Sequence, residues 1–147
     1  MEIKKVYDTT AEDLFRILFN AFKADYQKNT QKSIVDQDIR AGLSFKKYFG
    51  KDKKNSALVK VEAMNFPHHY KVALNTNRGS NIIEYIIEPY NDREIEVTYR
   101  EEYVDSGFMT KLNNKLLYPF FRKSMTQRME SQVDHLVRHS KVRKDSL

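Results

Sequence analysis

Two pairs of histidines are the first residues of this sequence that could bind a metal or transfer a proton. His68 and His69 adjoin in the stretch NFPHHY, and His135 and His139 stand four residues apart in HLVRH. Neighbouring residues of a strand point to opposite faces, and Pro67 and the polar setting favour a turn between two strands for the first pair. The second pair would share one side of a helix, but HLVRH lacks the glutamate of the zinc-protease motif H-E-x-x-H. No third ligand is identifiable for either pair, so the sequence predicts no metal site.

The motifs of hydrolases and nucleotide-binding enzymes are also missing. The stretch GLSFK lacks the second glycine of a nucleophile elbow. No phosphate loop or dinucleotide fingerprint occurs among the 4 glycines, and the absence of cysteine excludes thiol catalysis. No nucleophile, base and orienting group can be assembled from the spacing. The sequence therefore favours a noncatalytic protein, with no catalytic residue and no cofactor assigned.

One carboxylate is the best single residue for polar chemistry. Glu101 and Glu102 adjoin in YREEYVD, and strand alternation from Val97 and Tyr99 puts Glu101 on the inner face of a sheet. A carboxylate facing an apolar cavity would have a raised pKa and could anchor the polar end of a ligand. The alternative, which the sequence favours, is a strand end where Glu101 reaches water or pairs with a lysine.

Aromatic side chains dominate the same predicted face. Core packing explains apolar residues there, but repeated tyrosines are harder to explain because each buried hydroxyl needs a hydrogen-bond partner. A cavity with apolar walls and a few hydroxyls is a common form of small-molecule site. The sequence leaves a filled core and an open cavity as equal alternatives. Together with Glu101, the predicted ligand-binding residues are Phe45, Tyr70, Tyr85, Tyr99, Tyr103, Tyr118 and Phe121.

The elements that would position these side chains follow from the periodicity of the apolar residues. EIKKVY predicts a short strand, and a helix follows it with Thr9 as its cap and Glu12 three residues later. Between Ile39 and Val104 five segments alternate apolar and polar residues and are joined by short turn-like stretches. In one of them Val59, Val61 and Ala63 would share a face. Short links between alternating strands predict an antiparallel meander.

The C-terminal part returns to a helical period. Two apolar stripes follow Gly107 on different sides of a helix, and the change falls at Pro119, which removes a helical hydrogen bond. We predict a helix from about Phe108, a break near Pro119, and a long helix to about Ser140.

Length and composition indicate a single domain over residues 1–147, because 147 residues suffice for one core. The start of the chain has no apolar stretch of a secretion signal. No run reaches the roughly 18 apolar residues of a membrane helix. We therefore expect a cytoplasmic protein without a membrane span.

The order of strand, helix, five-stranded meander and long C-terminal helix resembles the START-like or SRPBCC superfamily, the helix-grip fold. More narrowly, the chain resembles a small uncharacterised bacterial family within it, through MEIKKVYDTTAEDLF, DIRAGLSFKKYF, IIEYII…EVTYREEY and NNKLLYPFFRK. The resemblance implies an α+β fold in which a curved antiparallel sheet wraps around a long C-terminal helix, often with a cavity between them. Members bind lipids, sterols, polyketides or plant hormones, some are cyclase enzymes, and others are co-chaperones. Fold does not select among these functions.

These observations lead to a noncatalytic protein that holds a small apolar or lipid-like molecule between the sheet and the C-terminal helix. The alternative is a regulatory or co-chaperone-like module whose acidic strands and basic C-terminal segment contact a protein partner. A pI of about 9.4 and lysines beside Tyr48 and Phe49 suggest binding of single-stranded nucleic acid. The acidic segment from Ile83 to Asp105 interrupts any basic stripe, so nucleic acid is not the expected partner.

Overall fold

A computed structural model describes residues 2–49 and 55–105 and, in the C-terminal segment, Ser131, Asp134, His135 and Arg138. The predicted first strand, first helix and five-stranded meander are confirmed. The predicted helix from about Phe108 to about Ser140 lies outside the described residues, apart from the four C-terminal residues named above, which are helical. The elements are β1 (Glu2–Tyr7), α1 (Ala11–Thr30), a 3-10 turn (Asp36–Asp38), β2 (Ser44–Phe49), β3 (Asn55–Asn65), β4 (His69–Thr76), β5 (Gly79–Pro89) and β6 (Ile95–Asp105).

The N-terminal cap of α1 lies one residue beyond the predicted cap. The hydroxyl of Thr10, not that of Thr9, accepts a hydrogen bond from the Asp13 backbone N–H at 3.1 Å. Thr9 is instead buried. At its other end the helix stops at Gln31, whose backbone is left-handed at φ 59° and whose N–H donates to the Gln27 carbonyl.

The six strands form one curved antiparallel sheet in the order β1-β6-β5-β4-β3-β2. Consecutive strands from β2 to β6 are neighbours, as a meander requires, and β1 pairs with the far side of β6. The two edges of the sheet are therefore β1 and β2.

An irregularity in β3 changes which side chains face inward. The pairing of β3 with β4 shifts between Val61 and Ala63. Val59 and Val61 are buried on the inner face as predicted, but beyond the shift Met64 packs against the core. The prediction that Ala63 shares that face is wrong, because a bulge inserts one residue and moves the following side chains to the opposite face.

The core lies between α1 and the inner face of the sheet. Leu14 and Phe15 are both 0% exposed and pack against β5 and β6, while Phe22 packs against Phe45 of β2 in a second cluster. Burying a side chain of this size contributes roughly 1.5–3 kcal/mol to folding, so the apolar stripe of α1 explains its position. In the described part of the chain, no helix combines the length and the apolar character needed to cross a bilayer.

The second half of α1 also contacts the edge strand β2. Lys47 Nζ lies 2.9 Å from Asp25 Oδ2. The side-chain oxygen of Asn29 accepts a hydrogen bond from the Tyr48 backbone N–H at 3.0 Å. A side chain of the helix thus satisfies one backbone donor of the edge.

Candidate functional site

Three of the predicted tyrosines form one row across the inner face of the sheet. Tyr70 of β4 pairs directly with Tyr85 of β5, which in turn pairs with Tyr99 of β6. Opposed residues of antiparallel strands share a face, so the register itself brings the rings together. The ring centroids are 5.8 Å apart in the first pair and 4.7 Å apart in the second. From here on these three residues are called the tyrosine row.

Two hydroxyls of this row, those of Tyr70 and Tyr85, are held in their neutral form. Tyr85 and Tyr99 are 2% and 1% exposed, and Tyr70 is half-buried. Burial raises the pKa of Tyr85, and the neighbouring phenols raise it further. Burial, helped by the negative charge of Asp25, also raises the pKa of Tyr70. A phenol ordinarily titrates near pH 10, so both hydroxyls keep their proton at neutral pH and can donate a hydrogen bond.

Glu101 lies on the inner face beside the tyrosine row. Its carboxylate accepts hydrogen bonds from the Tyr99 hydroxyl at 3.3 Å and from the Asn81 side-chain amide at 3.2 Å. The residue is half-buried, and its strand partner Ile83 is apolar. These two partners are a phenol and an amide. The row therefore has a negative charge at one side.

Two of the other predicted residues, Phe45 and Tyr103, do not join the row. Phe45 is buried against two aromatic rings of α1, at centroid distances of 5.6 and 5.2 Å, which makes it part of the helix–sheet core. Tyr103 lies near the end of β6, is 46% exposed, and donates its hydroxyl to the Arg78 carbonyl at 3.4 Å. Tyr118 and Phe121 lie outside the described residues.

Sequence reasoning missed a contact between β1 and the C-terminal segment. The Tyr7 hydroxyl donates to Asp134 Oδ1 at 2.7 Å, and Lys5 Nζ lies 3.1 Å from the same oxygen. The hydrogen bonds from Tyr7 and then Lys5 hold the pKa of Asp134 below its usual value. Alternation along β1 puts Lys5 and Tyr7 on one face. Because a lysine is normally expected to face solvent, the sequence does not indicate that this face points inward. Asp134 is thereby fastened to the inner side of β1.

The first histidine pair lies at the turn between β3 and β4, as predicted. His68 is in the turn and His69 begins β4. His69 Nε2 lies 2.6 Å from Glu84 Oε2, and since an ionised carboxylate only accepts, Nε2 carries the proton. Glu84 is 15 residues away along the chain, so only the β4–β5 pairing brings it near. Among the residues that the structure describes, no group of three or more histidine, cysteine, aspartate or glutamate side chains could hold a metal ion.

Glu84 extends this contact across the outer face of the sheet. Arg100 of β6 donates to Glu84 Oε1 at 3.4 Å and also to Glu2 of β1. Burial alone would raise the pKa of Glu84, but the hydrogen bond from His69 and the charge of Lys71 bring it below its ordinary value. The outer face is therefore tied together by charges, in contrast to the aromatic inner face.

Comparison with known proteins bears on the family and the fold. A family model described as "Domain of unknown function (DUF3284)" matches residues 1–122. The chain belongs to the DUF3284 family. The matched range includes all the strands described above and the whole tyrosine row. A comparison with curated proteins finds no match.

Solved structures resemble this DUF3284 chain in fold at low sequence identity. Norcoclaurine synthase from Thalictrum flavum has a TM-score of 0.60 at 11% identity, covering 94% of this chain and 83% of its own. Ara h 8.0201 has a TM-score of 0.60 at 14% identity, covering 97% of each chain. A protein of unknown function from Staphylococcus aureus has a TM-score of 0.56 at 14% identity, covering 96% and 94%. These neighbours have helix-grip folds, which confirms the predicted α+β class and the curved antiparallel sheet.

Proposed function

We propose that the protein binds a small, largely apolar molecule against the inner face of the sheet, between the sheet and the C-terminal helix, without converting it chemically. The observation that carries this proposal is the tyrosine row with Glu101 beside it. An aromatic surface with one carboxylate suits a ligand that is apolar along most of its length and polar at one end.

The polar groups of this face have complementary roles. Neutral tyrosine hydroxyls donate hydrogen bonds, while the Glu101 carboxylate accepts them. The hydroxyl or amine of a ligand would therefore bind at Glu101, where it would join the Tyr99 and Asn81 donors already there. The rings of Tyr70 and Tyr85 would then pack against the apolar part of the ligand.

A structural neighbour supports a phenolic or aromatic ligand. One structure of norcoclaurine synthase from Thalictrum flavum, with a TM-score of 0.58 at 12% identity, is a complex with dopamine and hydroxybenzaldehyde. Those ligands combine an aromatic ring with polar substituents, which is the combination that the tyrosine row and Glu101 favour.

Native mass spectrometry of freshly purified protein, followed by a thermal-shift panel of fatty acids and aromatic phenols, tests the proposal. We expect a copurifying molecule or a ligand that raises the melting temperature. Because the chain has 9 tyrosines and no tryptophan, a ligand that stacks on the row should also change tyrosine fluorescence. If no ligand of either class raises the melting temperature and none copurifies, the proposal is wrong.

A matched pair of variants locates the binding. Glu101→Gln should weaken a ligand with a hydroxyl or amine by about tenfold, because it loses a hydrogen bond to a charged group. Glu102→Gln removes the same charge from an exposed residue on the opposite face and should leave the affinity unchanged. Equal weakening by both variants would assign the effect to net charge and not to the inner face.

A further inference from the structure

We propose that the protein has a second binding site, for a small organic phosphate, where β2 ends, β3 begins and β4 turns into β5. An open cavity of about 760 Å³ lies there. Its described lining contains two cations, Lys46 and Arg78, and no carboxylate. The volume lies within the usual range of small-molecule sites, and the charge calls for an anion.

Among the described residues, no carboxylate neutralises either cation. In the part of the chain that the structure describes, no ion pair includes Lys46 or Arg78. The backbone of Arg78 is fixed, because its N–H donates to the Thr76 hydroxyl at 3.2 Å and its carbonyl accepts from Tyr103. The Lys46 ammonium lies 5.5 Å from the ring centroid of Tyr48 on the same outer face. The backbone position of Arg78 is therefore fixed, and within residues 2–49 and 55–105 neither charged end forms an ion pair.

The neutral part of the lining offers further donors. The Ser80 hydroxyl donates to Asn75 Oδ1 at 2.6 Å, which occupies the acceptor of that amide and leaves its NH₂ group to donate. Asn55, Ser56 and Asn77 also line the cavity. A phosphate group presents several acceptor oxygens and is bound most strongly by charged donors with neutral donors around them. The lining matches that requirement.

Apolar side chains border the two cations. Phe49 and Leu58 line the cavity and are 43% and 46% exposed. Tyr48 beside Lys46 is 42% exposed. A bare inorganic ion would leave this surface in water, whereas a phosphate carrying a ring or a short hydrocarbon chain would cover it. The ligand class is therefore an organic phosphate monoester.

The neighbouring strands favour a small ligand over a polymer or a membrane. On the outer face, β5 carries Glu84 and Glu88, and β6 carries Glu96 and Glu102. A nucleic acid strand or an anionic bilayer that extended from the cavity across the sheet would meet these carboxylates. A molecule confined to the cavity would not.

Titration with phenyl phosphate, followed by ¹H–¹⁵N NMR, tests the proposal. We expect saturable shifts of the Asn75 and Asn77 side-chain amides and of the Arg78 backbone amide. Phenol and inorganic phosphate, each offering half of the ligand, should bind at least about tenfold more weakly than phenyl phosphate. Equal binding of inorganic phosphate would overturn the organic part of the assignment.

Single variants identify the anion contacts. Lys46→Gln and Arg78→Gln should each weaken phenyl phosphate by about tenfold, the loss expected for one charge-assisted hydrogen bond. Arg93→Gln makes the same charge change in the exposed β5–β6 loop and should leave the affinity unchanged. Both site residues are exposed, and circular dichroism checks that each variant is folded. Equal affinity of Arg78→Gln and Arg93→Gln would overturn the proposal.

Two further measurements distinguish this site from the tyrosine row and the small ligand from a nucleic acid or a membrane. Glu101→Gln should leave phenyl phosphate binding unchanged, and a tenfold loss in that variant would move the ligand to the tyrosine row. A single-stranded oligonucleotide or phosphatidylglycerol vesicles should bind more weakly than phenyl phosphate. Tighter binding of either one that is lost in Arg78→Gln would overturn the small-molecule assignment.

Discussion

The two faces of strands β5 and β6 use adjacent residues for opposite purposes. On the inner face Tyr85 and Tyr99 are almost fully buried and their rings are in contact, tilted by 37°. One residue away on the outer face, Glu84 and Arg100 form part of the charge network that reaches His69. The same backbone pairing supports both arrangements, because successive side chains of a strand point to opposite sides.

The comparison shows that the inner face contributes mainly to the folding free energy and the outer face mainly to the order of the strands. Apolar burial on the inner face is additive over area and supplies most of the folding free energy. The outer network consists of pairwise contacts at a surface, where each pair contributes little. Its effect is instead to fix which strands lie side by side, since Glu2, Glu84 and Arg100 come from three neighbouring strands.

Truncating two neighbouring isoleucines of β5 should show the largest difference in stability between the two faces. Ile87 faces inward and is 0% exposed, while Ile86 faces outward and is half-buried. We expect Ile87→Ala to lower the free energy of unfolding by about 2–5 kcal/mol and Ile86→Ala by less than about 1.5 kcal/mol. Urea unfolding measures both, and equal losses would mean that the two faces are equally packed.

A smaller effect should follow from removing the hydroxyl of Tyr7. Tyr7→Phe deletes the hydrogen bond to Asp134, which is charged, and should cost about 1–2 kcal/mol. Hydrogen exchange should also become faster in the C-terminal segment around Asp134. Tyr90→Phe is the control, since Tyr90 is 58% exposed. Unchanged exchange in Tyr7→Phe would show that this contact does not fasten the segment to β1.

The smallest expected effect is the pH dependence of the outer network. The pKa of Glu84 is lower in the folded protein than its ordinary value of 4.5. The unfolded chain therefore binds this proton more readily, and the stability that Glu84 contributes is full above that value and is lost as the pH falls through the folded-state pKa. Glu84→Gln should cost about 1 kcal/mol at pH 7 and progressively less as the pH falls toward 3.

The control for this measurement is Glu88→Gln, which changes an exposed carboxylate on the same face of β5. It should alter the unfolding free energy little at either pH. A cost for Glu84→Gln that stays constant from pH 7 to pH 3 would mean that the ionised carboxylate is not what stabilises the sheet.

The strands and their inward faces could be predicted from the sequence because residues that face the core alternate with residues that face solvent. Tyr70 and Tyr99 have polar neighbours on both sides and Tyr85 follows Glu84, so the sequence indicates their common face. Their direct opposition could not be predicted, because cross-strand register depends on turns whose geometry the sequence does not fix. The partnership of His69 with Glu84 was hidden for the same reason.

Other details escaped because two residues offer the same local chemistry or because a pattern is broken. Thr9 and Thr10 are equivalent as caps in the sequence, and the backbone of the folded chain selects the second. The shift near Val61 adds a residue to β3, which strict alternation cannot anticipate. Long-range polar contacts such as Tyr7 with Asp134 require the tertiary arrangement itself.

The hydrogen bond from the Tyr48 N–H to the Asn29 side chain has a consequence for how copies of this protein behave together. Unpaired amides along an outermost strand are a template on which a second chain can extend the sheet, and this is how amyloid growth begins. Here one such amide is already occupied by the helix, and the Lys47–Asp25 pair lies next to it. Replacing Asn29 would therefore free a docking point for another molecule while removing nothing from the hydrophobic core.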